Sequence, residues 1–164
     1  MIIIGYPCIG KSTLAKDNDK IIDLESSNFN KRNELWYEDC CRIAEDLSRQ
    51  GYIVFVSCHE DVQHYLYKYS EEKVWLVFPE DKKEMYDYWI DKAKERYKRT
   101  NLQKDLKAYD RISKNFAVDT RELKNSPIKQ KVIIGYKDYN LEEMVKYMKN
   151  WNKKATEKDW LSAV

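Results

Sequence analysis

The segment Gly5-Tyr6-Pro7-Cys8-Ile9-Gly10-Lys11-Ser12, followed by Thr13, fits the spacing G-x-x-x-x-G-K-[ST]. Glycines at both ends let the backbone wrap closely around a polyphosphate, with successive N–H groups turned inward. Lys11 is then the side chain that reaches the β- and γ-phosphates, and the Ser12 hydroxyl is a ligand for Mg²⁺. The whole chain holds only 4 glycines, where average usage would give roughly 11. Two of them lie in this one loop, and at average composition its four fixed positions arise by chance in roughly one chain in two hundred of this size. A second set of polar residues, Asp23, Glu25, Ser26, Ser27 and Asn28, closes an apolar run, and His59 and Glu60 close another. Ligands of open α/β sheets gather at the carboxyl ends of strands, so both groups are candidates for a site facing the loop. Ser and Asn also favour helix caps, so a strand exit followed by a cap is the competing reading of 23–28.

Elements must hold these groups in register. Five short runs rich in β-branched and aromatic residues, 2–4, 21–24, 52–57, 74–78 and 132–134, show no alternation, which suits strands covered on both faces of a parallel sheet. Between them the apolar positions repeat at helical spacing. Trp36, Cys40, Ile43, Ala44 and Leu47 mark a helix over 33–50 that Gly51 stops. Val62, Tyr65, Leu66 and Tyr69 mark a shorter one. Asp81 with Glu84 reads as a capping box opening a helix along Met85, Trp89, Ala93 and Tyr97. Leu102, Leu106, Tyr109, Ile112 and Phe116 define another over 102–116, and Asn140 with Glu143 caps a last one. Residues 151–164 read either as an extension of that helix or as a fraying end. The alternation predicts one α/β domain over 1–164, with right-handed crossovers and helices on both faces of a five-stranded, mainly parallel sheet. Residues 81–131 hold two helical segments where one crossover helix would suffice, so they are expected to protrude as a functional insertion.

With 30 Lys and Arg against 28 acids, a net of +2, the chain is too near neutrality for a dedicated duplex-DNA or polybasic membrane binder. Its 43% hydrophobic and 35% charged residues fit a globular protein. No apolar run approaches a membrane span, and the start Met-Ile-Ile-Ile-Gly has no signal-peptide pattern, so the expected location is cytoplasmic with no membrane partner. Cys8, Cys40, Cys41 and Cys58 lack zinc-binding spacing and read as reduced thiols in or near the core. His59 and His64 are five apart, which does not suit a shared metal.

The run GYPCIGKSTLAK, placed directly after a strand in a short chain, resembles the P-loop kinases that phosphorylate small molecules or nucleic-acid ends: nucleoside monophosphate kinases, shikimate-type kinases and bacteriophage polynucleotide kinases. With IIDLESSNF and VFVSCHEDV it looks like small nucleotide-kinase-like proteins of phage or bacterial type. The resemblance implies a P-loop NTPase α/β/α fold with a helical lid, and ATP and Mg²⁺ as cofactors. By position in the chain it makes Asp23 the group that binds or deprotonates the acceptor, with Glu25, Ser26, Ser27 and His59 along the acceptor rim. It also implies lid arginines over the transferring phosphate, for which Arg96 and Arg99, three apart on one helical face, are the candidates, followed by Arg111 and Arg121. Gly135-Tyr136-Lys137 corresponds to a loop that cradles the adenine base in such kinases. The run 52–57 ends without the Asp of motor ATPases, and no Asn-Lys-x-Asp guanine reader follows. The Asp-Gly-Phe-Pro-Arg run of adenylate kinases and the paired glycines of shikimate kinases are also missing. The leading expectation is therefore phosphate transfer from ATP to a nucleotide, in the first instance a (deoxy)nucleoside monophosphate. A hydroxyl kinase acting on a nucleic-acid 5′ end or a small molecule is second, and a non-catalytic nucleotide-binding regulator third.

Overall fold

A computed structural model describes residues 1–151 of the 164. The chain runs β1 (Ile2–Gly5), α1 (Lys11–Lys16), β2 (Ile21–Asp23), α2 (Trp36–Arg49), β3 (Ile53–Ser57), α3 (Glu60–Tyr69), β4 (Val74–Pro79), α4 (Lys83–Thr100), α5 (Gln103–Lys124), β5 (Gln130–Ile134) and α6 (Leu141–Asn150). A single 3-10 turn, Ser26–Asn28, follows β2. The five strands form one sheet in the order β2-β3-β1-β4-β5, and every pairing is parallel. This is an α/β domain in which each expected strand is present within a residue or two of its expected bounds. No described helix is long and apolar enough to cross a membrane.

The strand sequences explain the sheet. β1 lies between β3 and β4, pairing Ile2 with Val54 and Val74 and Gly5 with Ser57 and Val77. A central parallel strand has no solvent face, which is why Ile2, Ile3, Ile4, Val54, Phe55, Val56, Leu76 and Val77 are all fully buried. From β1 the chain moves toward the β2 edge, whereas every later crossover moves toward β5. Right-handed crossovers therefore set α1 on one face and α2 and α3 on the other. The connections leaving β1 and β3 part in opposite directions at the carboxyl ends of neighbouring strands, and that divergence opens the crevice in which ligands of such sheets bind.

Between β4 and β5, α4 and α5 form an antiparallel hairpin turned at Asn101, whose left-handed backbone (φ 52°) lets its N–H reach the Tyr97 carbonyl at 2.8 Å. The hairpin serves two purposes. Met85, Trp89, Ala93, Ile112, Phe116 and Leu123 bury its base in the common core, so that half does not protrude. Its turn-proximal half lies over the Gly5–Ser12 loop. α5 outruns its expected 102–116 because Asp119, Thr120 and Leu123 remain buried for two more turns. The Asp81–Glu84 capping box does not form: α4 starts after Lys82 with no side-chain cap, and Asp81 lies 3.5 Å from Arg121 instead. The Asn140 cap does form, its Oδ1 accepting the Glu143 N–H at 3.1 Å. α6 ends at Asn150, Trp151 packs edge-on against Trp75, and the rest of 151–164 lies outside the described residues. All four cysteines are free and buried.

Candidate active site

The loop from Gly5 to Ser12 is shaped by positions that only particular residues tolerate. Gly10 takes φ 106° immediately before α1, and Cys8 takes φ 65°, so the backbone curls back on itself twice. A Cβ on Gly5 would come within 2.7 Å of the Ile9 side-chain tip and 2.9 Å of the Lys11 stem, so any larger residue there forces those two side chains to shift. Inside the curl, Lys11 Nζ donates to the carbonyls of Gly5 at 2.9 Å and Tyr6 at 3.3 Å. Outside it, the Pro7 carbonyl accepts from Trp89 Nε1 and the Ile9 carbonyl from the Tyr139 hydroxyl, both at 2.9 Å. These two bonds fix the loop to α4 and to the segment before α6.

Two adjoining cavities open on this loop. The larger, about 680 Å³, lies between Cys8–Thr13 and the α4 side chains Lys92, Arg96 and Arg99. It falls within the volume range of small-molecule sites. The smaller, about 170 Å³, lies between Pro7 and the ends of β2 and β3, lined by Asp23, Glu25, Ser26, Ser27 and Ser57. Lys11, Ser12, Arg96, Lys104 and Asp105 line both, so the loop lysine stands at the doorway between them. The smaller volume admits the reacting end of a substrate, not a whole nucleotide.

Charges at the doorway are mutually arranged. Arg96 Nε lies 2.8 Å from Asp105 Oδ1, and that carboxylate, only 3% exposed, also accepts from Thr100. Lys104 Nζ lies 2.6 Å from Glu25 Oε2, and this hydrogen bond holds the Glu25 carboxyl below its ordinary range. Ser12 donates to Asp23 Oδ2 at 2.6 Å, whereas Asp23 Oδ1 and the Ser57 hydroxyl are buried without a partner among the described residues. Buried polar atoms are rarely left so, and both of these line the smaller cavity.

The sequence-derived residues therefore separate. Cys8, Ile9, Gly10, Lys11, Ser12, Thr13, Pro7, Asp23, Glu25, Ser26, Ser27, Arg96 and Arg99 converge on the two cavities. The Tyr6 side chain turns into the core, its hydroxyl 3.5 Å from Asp119. His59 lies behind Ser26 and lines neither cavity; Lys31 Nζ is 3.2 Å from its Nε2 and Trp36 meets it edge-on at 5.1 Å. Burial, then the charges of Lys31 and Arg111, push its imidazole down to about 4, so the ring is neutral near pH 7. Arg111 is held in a fork by Asp119 at 2.7 and 3.2 Å, and Arg121 reaches Ala117 and Asp81 on the outside of the hairpin. Lys137 stands 3.7 Å from Glu84, and Gly135-Tyr136-Lys137 lines neither cavity.

Comparison of the chain with family models, curated proteins and solved structures returns no match.

Residues that the sequence reading did not single out complete the site: Ser57, Lys92, Lys104, Asp105 and Tyr139. One signal for Lys92 was available, since Trp89, Lys92, Arg96 and Arg99 share a face of α4 at helical spacing. Asp105 gives no such signal, because its partner Arg96 lies across the hairpin turn. No group of three or more His, Cys, Asp or Glu among the described residues could enclose a metal by itself. Mg²⁺ bound together with nucleotide phosphates needs only one or two protein ligands. The Ser12 hydroxyl, with the Asp23 carboxylate 2.6 Å from it, is a donor set that fits this mode.

Proposed function

We propose that the chain is an ATP- and Mg²⁺-dependent phosphotransferase of the P-loop NTPase fold, with the α4–α5 hairpin as its lid, moving the γ-phosphate of ATP to a nucleotide-like acceptor. One observation carries this reading: a cavity of nucleotide size and a smaller polar one meet at Lys11, Ser12 and Arg96. A hydrolase needs no second cavity of this kind. A phosphotransferase needs two substrates brought end to end, with cations where they touch.

In this reading Lys11 leaves the Gly5 and Tyr6 carbonyls for the β- and γ-phosphates, Arg99 lies over the transferring group, and Arg96, its Nε held by Asp105, has only its remaining N–H groups for that same group. Mg²⁺ held by Ser12, and through water by Asp23, would neutralise charge on the β- and γ-phosphates. The sequence favours a monophosphate acceptor, but the side chains of the smaller cavity favour a hydroxyl. Two of its three cations, Arg96 and Lys104, are already paired with Asp105 and Glu25, and its unpartnered polar atoms among the described residues are a carboxylate oxygen of Asp23 and the Ser57 hydroxyl. A carboxylate oxygen attracts a hydrogen-bond donor and repels a phosphate dianion. Asp23 Oδ1 then accepts the proton of the acceptor hydroxyl as its oxygen bonds to the γ-phosphorus and the bond to the β-phosphate oxygen breaks, releasing ADP.

The test is ADP release with Mg-ATP over three sets of acceptors: nucleoside monophosphates, nucleosides and 5′-hydroxyl oligonucleotides. Stimulation by the hydroxyl-bearing sets supports the reading in full. Stimulation by monophosphates through their phosphate returns Asp23 to a purely metal-holding role, and no stimulation by any set leaves a nucleotide-binding regulator.

A further inference from the structure

Lys92 projects from α4 into the larger cavity, half-buried, in a cage unlike the settings of the other cations there. Its ammonium lies 5.3 Å from the ring centres of Tyr88 and Trp89 and 4.9 Å from that of Tyr139. It donates one hydrogen bond, to the Tyr139 hydroxyl at 2.7 Å. No carboxylate among the described residues pairs with it, whereas Arg96 and Lys104 each have one. An ammonium has three donors, so two remain for a ligand. Withdrawing a cation from water without an anion is unfavourable, and burial lowers the Lys92 pKa accordingly; ring faces compensate only in part.

The cage is also joined to the phosphate loop. The Tyr139 hydroxyl that accepts from Lys92 donates in turn to the Ile9 carbonyl. Trp89, stacked on Tyr139 at 5.7 Å and 15°, donates to the Pro7 carbonyl. The same two rings thus hold both the loop and the Lys92 ammonium, which lines the larger cavity together with Cys8, Ile9 and Gly10. We infer that Lys92 is a second polyphosphate-binding lysine of the cavity that Lys11 also lines, with Trp89 and Tyr139 as positioning residues that hold cation and loop in one geometry. The inference rests on the nucleotide reading above and names one of its binding residues.

Titration calorimetry with Mg-ATP, inorganic tripolyphosphate and adenosine tests it on the whole chain. Lys92→Met should weaken ATP and tripolyphosphate about 10-fold or more and leave adenosine unchanged, the size expected for losing one charge-assisted contact. Lys92→Gln provides the same loss with a polar side chain should the Met variant fold poorly. Lys94→Met, the same charge change at an exposed position on α4, should bind all three ligands as the wild type does. Tyr139→Phe keeps the stacked ring and removes both hydrogen bonds, and should weaken tripolyphosphate but not adenosine. A folded Lys92 variant that binds tripolyphosphate with wild-type affinity overturns the inference, as does a Lys94→Met loss of equal size. Wild-type protein that binds neither ATP nor tripolyphosphate overturns the nucleotide reading itself, and the inference with it.

Discussion

Asp23 is the residue on which the proposed chemistry turns, because one of its oxygens holds Ser12 and the other is buried without a partner among the described residues, in a residue that lines the smaller cavity. Asp23→Asn keeps the shape and removes the charge. Steady-state kinetics should show kcat lower by about 10²–10⁴ if the carboxylate takes the acceptor proton. A change confined to KM would demote Asp23 to acceptor binding. His59 makes a prediction about stability. Its folded value of about 4 lies below its ordinary 6.5, so between these values the unfolded chain binds more protons than the folded one. Stability from keeping the ring neutral is present above about pH 6.5 and is lost as the pH falls toward 4. Thermal unfolding from pH 7 to 4 should show Tm falling across that window, and His59→Gln should flatten the fall. The loop lysine and serine were legible in the sequence because their spacing is local. The role of His59 was not, since its environment comes from Lys31, Trp36 and Arg111, brought to it only by the fold.

Among the elements, the α4–α5 hairpin was legible as two helices by its period, and its division into a buried base and a site-lining end was not. That division depends on which turns of each helix meet β4 and which overhang the loop. The capping box failed for a related reason: Asp81 is drawn to Arg121, forty residues away in the sequence. Arg96 and Asp105 pin the hairpin end across its turn, and removing Arg96 leaves a carboxylate of 3% exposure with Thr100 as its remaining partner. Arg96→Ala should therefore destabilise the fold by about 3 kcal/mol, lowering Tm by about 6–12 °C, as well as reducing transfer. Arg99, exposed at the cavity edge, should lose transfer on replacement with little change in Tm. Calorimetry beside kinetics on the two variants separates a pinning residue from one that acts on the phosphate alone.

At the scale of the molecule, the parallel sheet was readable from five unalternating apolar runs, since only strands covered on both faces dispense with polar positions. The strand order was not, because the side of β1 taken by each crossover is fixed by tertiary packing. That order puts β3 rather than β2 beside β1, so the strand next to the loop ends on Ser57 while Asp23 reaches Ser12 from one strand further out. If the loop binds nucleotide in the folded state alone, Mg-ATP at 100 times its Kd should stabilise the chain by about 2.7 kcal/mol and raise Tm by about 5–10 °C. Lys11→Ala should abolish that rise. The most direct measurement of the central claim follows the γ-phosphate itself, by incubating wild-type protein and Lys11→Ala with γ-labelled Mg-ATP and the acceptor sets and tracing the label. The account predicts label on the acceptor, one equivalent for each ADP formed, with wild type and none with the variant. Label appearing only as inorganic phosphate, or transfer undiminished in Lys11→Ala, would contradict it.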